Sequence, residues 1–214
     1  MKFPEIKSFL KKIIILCFTI TITQSQEQLD LCLTKINKNE FYFVRHGQTD
    51  HNIGIVADSL DLPLNSYGRQ QSINILPCIS SLPVKSVCFS PLLRAKETKN
   101  IIVAQLQATE YEIADLTECS FEDWKKMPIL KEKGFEDAPI SIQLFIQQVK
   151  NGMEKSLSQA GPVLIVAHGG IYYALCYLLQ VASDSWMIDN CEPVKFYLDT
   201  DDQWKIKKLN SNRY

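Results

Sequence analysis

The five residues Val163–Ala167, VLIVA, are apolar without interruption and stop at His168-Gly169-Gly170. A run so short and so uniformly apolar fits a central strand covered on both faces, as found in parallel sheets flanked by helices. Two more segments share this build. FYFV, residues 41–44, runs into Arg45-His46-Gly47, and SVCF, residues 86–89, runs into Ser90-Pro91. Both are rich in β-branched or aromatic residues and end at a turn former. Helical patterns follow at about 68–79, 92–106 and 170–180, and another spans 140–157 ahead of Gly161-Pro162. Residues 194–209, VKFYLDTDDQWKIKKL, read as a hairpin around Asp201 and Asp202. The alternation predicts an α/β fold, a three-layer sandwich with a mostly parallel central sheet and helices on both faces. With 214 residues and no repeat or linker beyond about Glu40, a single domain over 40–214 is expected.

The first 25 residues differ from the rest. Lys2, Lys7, Lys11 and Lys12 precede the apolar run IIILCFTITI, and polar residues follow up to Gln26. A basic start, an apolar stretch of about ten residues and the small residues Thr23 and Ser25 before Gln26 read as a signal peptide; the competing readings are a retained membrane anchor and a first helix of the fold. The run is shorter than the ~20 residues a membrane span needs. The expected location is therefore exported, periplasmic or secreted, with any membrane contact through this segment alone. Without Cys17, six cysteines remain, and their spacing has neither a disulfide framework nor a C-x-x-C pair. Cys88 and Cys176 lie in apolar stretches and read as small buried hydrophobes.

A parallel sheet binds its ligands beyond the carboxyl ends of its strands. That edge should gather Arg45 and His46 from the first strand, Arg94 from the segment after the second, and His168 from the third. Two guanidiniums and two imidazoles make an anion site, and the fork of an arginine suits phosphate oxygens. The second and third segments also lead into helix N-termini, which favour phosphate. Globally the chain carries a net charge of -1, so no basic field exists to hold nucleic acid, and the anion site is local. Of the three histidines, His46 and His168 stand next to glycine at strand ends, whereas His51 reads as a structural bystander. No metal is expected: the histidine spacing fits no ligand pattern and adjacent arginines would repel a cation. A neutral histidine with one ring nitrogen held by a hydrogen bond can act as a nucleophile toward phosphorus. Arg45, Arg94 and a protonated His168 would stabilise the phosphoryl oxygens, and a carboxylic acid would protonate the leaving alkoxide.

RHGQTDHN, residues 45–52, resembles the R-H-G-x-T-x-x-N signature of the histidine phosphatase superfamily, the phosphoglycerate mutase-like family. DLPLNSYGRQQ is similar to the family's D-x-P-L-T-x-x-G-x-x-Q element, with Asn65 in place of threonine, and SPLLRAKET and VAHGG resemble the segments carrying Arg94 and His168. The resemblance implies His46 as nucleophile, Arg45, Arg94 and His168 as the phosphate pocket, and Asn52 and Gly169 as secondary phosphate contacts. LTECSFEDWKK is similar to the L-x-E-x-x-x-G-x-W-E-G element and would make Glu118 the catalytic acid, with Glu122 or Asp123 in reserve. It departs from the pattern at Glu122, Lys125 and Lys126. The Gln-Gly pair expected before Asp61 is replaced by Ala57-Asp58. What is implied is a phosphatase that hydrolyses a small phosphomonoester through a phosphohistidine, with no cofactor. The alternatives are phosphoglycerate mutase-type transfer and a non-catalytic phospho-ligand binder. The irregular stretch around FEDWKK reads as a solvated charged loop or a lid whose lysines touch the substrate.

Overall fold

Phe41–Arg45 (β1) lies inside a six-stranded sheet because four of its five residues are buried, which only neighbours on both edges and both faces allow. The computed structural model describes residues 40–55, 61–181 and 186–209. The N-terminal segment, Cys32 and the Ala57-Asp58 pair lie outside the described residues. The other strands are β2 (Ser86–Phe89), β3 (Thr109–Glu112), β4 (Val163–Ala167), β5 (Pro193–Leu198) and β6 (Trp204–Lys208), and the order across the sheet is β3-β2-β4-β1-β5-β6. The first four in that order are parallel, while β5 and β6 form the antiparallel hairpin expected from their alternating sequence. β4 is central and buried at every position, as its unbroken apolar run requires.

Helices α1 (Ser66–Ser80), α2 (Leu93–Ile102), α3 (Phe121–Lys126), α4 (Ile129–Glu132), α5 (Ile140–Leu157) and α6 (Gly169–Leu178) complete the fold. Alternate strand residues face opposite layers. Tyr42, Val44, Leu164 and Val166 pack with Ile75 and Ile79 of α1 and Ile102 of α2. On the other face Phe43 meets Tyr172 of α6 at 5.7 Å between ring centroids, and Cys88 lies against the Ser156 carbonyl of α5. This is the α/β sandwich expected from sequence.

Three elements differ from expectation. β3 has no apolar run; its residues TEYE pair only with β2 at the sheet edge, where charged side chains discourage further pairing. α2 ends four residues short of Leu106, because Val103 and Leu106 keep packing on the core after the backbone has left the helix. The stretch expected to be irregular contains two short helices, α3 and α4, the first capped by the Ser120 hydroxyl accepting from the Asp123 amide. Among the described residues no helix is long and apolar enough to cross a membrane. The described cysteines, Cys78, Cys88, Cys119, Cys176 and Cys191, are free thiols, and Cys88 and Cys176 are buried as expected.

Candidate active site

β1 and β4 run side by side in parallel, so His46 and His168 emerge from the same sheet edge with ring centroids 5.1 Å apart. The His46 amide still donates to the Ala167 carbonyl at 2.9 Å, which holds the residue after the strand as firmly as the strand itself. Its loop is then pressed onto the start of α1. A Cβ at Gly47 would lie 2.5 Å from the Gly68 carbonyl oxygen, and one at Gly68 would lie 2.1 Å from the Gln48 carbonyl oxygen, so both positions need glycine. Side chains from the remaining motifs fasten the loop. The Gly47 amide donates to Thr98 Oγ1 at 2.9 Å, the Gln48 amide to Gln71 Oε1 at 2.9 Å, and Asn65 caps α1 by accepting from the Gly68 amide at 2.8 Å. Asparagine thus meets the capping need at the position where threonine was expected.

Within this frame the His46 ring has a defined tautomer. Nδ1 lies 2.7 Å from the Gly47 carbonyl oxygen, which accepts only, so the proton sits on Nδ1. Nε2 is left with its lone pair and accepts from Arg94 Nε at 3.1 Å. Burial first, then the positive charges of Arg94 and Arg45, hold His46 well below the usual imidazole range. His168 is also fully buried and is depressed for the same reasons, burial leading, with Arg94, His46 and Arg45 adding to it. With no ligand in the site, burial and the two guanidiniums favour the neutral ring; the protonated His168 expected from sequence belongs to the site with a phosphoryl group bound. Its Nε2 lies 2.7 Å from the Ser90 hydroxyl, while Nδ1 is buried with no partner. Arg45 Nη1 donates to the Ile188 carbonyl at 2.8 Å, and Arg45 Nε is likewise buried and unpartnered. Buried donors and acceptors are normally satisfied, so two orphans at one sheet edge mark a place for a polar ligand.

Glu118 closes the set. Its Oε2 accepts from the Gly170 amide in the first turn of α6 at 3.0 Å, and its Oε1 accepts from the Cys119 amide at 3.1 Å. Burial raises its pKa, and the two amides with Arg94 and Arg45 oppose the rise only in part. Gly170 makes the placement feasible, because a Cβ there would lie 2.2 Å from Glu118 Oε1. The reserve carboxylates are engaged elsewhere: Asp123 accepts from Ser120 and Ser141, and Glu122 pairs with Lys125.

Arg45, His46, Arg94 and Glu118 line one cavity of about 330 Å³, together with Asn52 and Gly169. The residues proposed from sequence therefore meet, with His168 buried directly behind His46. His51 needs correcting: it belongs to the cavity wall, where its ring stands edge-on to Phe121 at 5.5 Å. Neither Lys125 nor Lys126 lines the cavity; α3 contributes Phe121 and Trp124 instead. Asn190 went unanticipated. Its amide donates to the His46 carbonyl at 2.8 Å and to Asn52 Oδ1 at 3.3 Å, and Asn52 Oδ1 also accepts from the Thr49 amide. No motif marks Asn190; only the antiparallel entry of β5 beside β1 brings residues 186–191 past the strand end. Among the described residues no three His, Cys, Asp or Glu side chains gather as metal ligands.

Over 184 residues the chain is 29% identical to the uncharacterized phosphatase PhoE of Bacillus subtilis (strain 168), covering 80% of this chain and 94% of that protein. Among solved structures, the alpha-ribazole phosphatase from Shigella flexneri superposes with a TM-score of 0.61 at 21% identity, covering 81% of this chain and 96% of the other. Phosphoglycerate mutase from Bacillus anthracis str. Sterne superposes at 0.62 with 19% identity, over 82% and 95% of the two chains. At such identities the structures speak to the fold. The family model that matches residues 41–212 spans every motif described above, from the strand before His46 to the final hairpin, and the chain belongs to the histidine phosphatase superfamily (branch 1).

Proposed function

We propose that the protein is a phosphomonoesterase that forms a phosphohistidine on His46 and uses Glu118 as proton donor and acceptor. The observation that carries this reading is the His46 tautomer: Nδ1 is tied to the Gly47 carbonyl, which leaves the Nε2 lone pair for phosphorus. Arg94 Nε holds that lone pair in the free site. An arriving phosphoryl oxygen offers the guanidinium a charged acceptor, a stronger partner than a neutral imidazole, and so releases Nε2. Arg45 Nε and His168 Nδ1 then find partners among the other phosphoryl oxygens. Burial, with the charges of Arg94 and Arg45 adding to it, keeps His168 neutral; the dianion offsets those charges, so this ring gains a proton more readily with substrate bound.

In the first step the Nε2–P bond forms as the P–O bond to the leaving group breaks, and Glu118 passes its proton to the departing oxygen. In the second, the Glu118 carboxylate takes a proton from water, the water oxygen bonds to phosphorus, and the P–N bond breaks. Phosphate leaves, His46 is again neutral and Glu118 again protonated, so the cycle balances. A raised Glu118 pKa suits a group that must begin as an acid near neutral pH. Arginines and backbone amides supply the charge stabilisation, which makes metal independence part of the proposal. Purified protein should release p-nitrophenol from p-nitrophenyl phosphate in the presence of EDTA, and His46→Ala should lower kcat by about three orders of magnitude or more. Activity that survives in His46→Ala, or is lost to the chelator, would contradict this. Isomerisation of phosphoglycerate outpacing phosphate release would instead favour a mutase.

A further inference from the structure

The phosphoryl groups account for the deep end of the cavity and leave its mouth unexplained. His46 is only 3% exposed, whereas Phe121 and Met187, on the same cavity, are 39% and 53% exposed. With Leu62, Trp124 and His51 they form a rim that is apolar and aromatic. Phe121 and Trp124 stand three residues apart on α3 and share a face, and Lys125 pairs with Glu122. Both rings are braced. Phe121 has the edge of His51 on one side and Lys125 Nζ 4.1 Å from its centroid, and Trp124 meets the edge of Tyr173 at 6.3 Å. Trp124 also reaches the chemistry. Measured from the point a Cβ would occupy at Gly169, Trp124 Cη2 is 3.7 Å away and Arg45 Nε 3.5 Å, so the indole and the arginine assigned to the phosphoryl group stand against the same glycine.

The cation nearest the mouth, Lys125 over the Phe121 ring, is already paired with Glu122. No lysine, and no arginine beyond Arg45 and Arg94, lines the cavity among the described residues. The carboxylates of Asp189 and Asp61 sit near enough to those arginines to act on them electrostatically, Asp61 accepting from the Leu93 amide at the start of α2. A substrate with a second anionic group would find beyond the two arginines only a lysine that Glu122 already pairs, and two carboxylates nearby, which disfavours it.

From this juxtaposition we infer that the rim of Phe121, Trp124, Leu62 and Met187 selects phosphomonoesters whose leaving group carries a flat aromatic ring and no second negative charge. The inference rests on the phosphomonoesterase reading and names its substrate class. A ring that leaves the solvent here slides against two braced aromatics and gains both apolar burial and stacking.

The test separates ring recognition from leaving-group reactivity by holding the ester a primary alkyl one. Naphthylethyl phosphate, ethyl phosphate and phosphoglycolate are compared by kcat/KM with the full chain. The expected order is naphthylethyl about tenfold or more above ethyl phosphate, a preference the size of one good aromatic contact plus burial, with phosphoglycolate below both. Phe121→Ala and Trp124→Ala should each shrink the naphthylethyl-to-ethyl ratio by about fivefold. Leu62→Lys, a partly exposed position, should raise the phosphoglycolate-to-ethyl ratio. Comparable hydrolysis of naphthylethyl and ethyl phosphate, or ratios that none of the three substitutions moves, would overturn the inference and leave the phosphatase reading standing. No hydrolysis of any of the three esters by the wild-type protein would overturn both.

Discussion

His46 has two ring nitrogens, and each has a different neighbour: a carbonyl that accepts a hydrogen bond from one and a guanidinium that points a donor at the other. The pH dependence of turnover follows from the same surroundings. A free imidazole protonates near pH ~6.5, but His46 is depressed, so as pH falls it stays a nucleophile below that value. Glu118 starts from 4.5 and is raised, so as pH rises the acid persists beyond the ordinary carboxylate range and is then lost. The kcat/KM profile for an alkyl phosphate should therefore have its acid limb below the free-histidine range and its alkaline limb above the free-carboxylate range. In Glu118→Gln, assayed on p-nitrophenyl phosphate, whose leaving group needs no acid, the alkaline limb should vanish. An acid limb at the ordinary histidine value in the wild type would contradict the assignment. Gly170→Ala probes the acid separately. A methyl group 2.2 Å from Oε1 must displace the carboxylate, and loss of positioned acid catalysis should cost about a hundredfold in kcat/KM on ethyl phosphate. On p-nitrophenyl phosphate the loss should be much smaller; equal losses on both esters would mean that Glu118 does not act as the acid.

Between residue and fold stand the segments that fasten the site, and Thr98 of α2 is the clearest of them. Its hydroxyl accepts from the Gly47 amide and donates to the Arg94 carbonyl, tying the nucleophile loop to the helix of the phosphate arginine. Thr98→Val leaves a buried amide without a partner, which costs about 1–3 kcal/mol and should lower Tm by roughly 2–10 °C for a chain of this length. An unchanged Tm would show that the two elements are held by something else. Elements of this kind also mark how far the structure was legible in sequence. β1, β2 and β4 announce themselves because buried parallel strands must be continuously apolar, and their ends point to His46 and His168. β3 gives no such signal, since an edge strand needs backbone partners on one side only and TEYE has no apolar stripe. Asn190 was illegible for a related reason: its contact with His46 spans 144 residues and depends on where β5 enters the sheet. His51 was misjudged because sequence separates it from Phe121 by 70 positions, and only the fold stacks the two rings. The lysines of α3 drew attention through their charge, whereas the i, i+3 spacing of Phe121 and Trp124 turned out to define the inward face.

At the scale of the whole molecule, a site built around buried, unpartnered donors should respond to an anion as a folding ligand. Inorganic phosphate at about 100 times its Kd would add ~2.7 kcal/mol of stability, roughly 5–10 °C in Tm, and Arg45→Ala should abolish the shift. Stability should also depend on pH with a definite sign. Both buried histidines have depressed native pKa values, so the unfolded chain takes up protons first as pH falls below ~6.5 and stability declines there. The raised Glu118 acts oppositely: its favourable contribution is present below 4.5 and lost as pH rises through its native value. Tm should therefore fall on acidification from neutrality until the carboxyl range is reached, and a flat Tm across that interval would contradict the buried, neutral state of the two rings. The covalent intermediate is the centre of the account. Rapid quenching of turnover with a phosphate-labelled substrate should trap a phosphoprotein that is acid-labile and base-stable, with the label in the peptide containing His46 and absent from His46→Ala. A label on any other residue, or one that persists in His46→Ala, would contradict it.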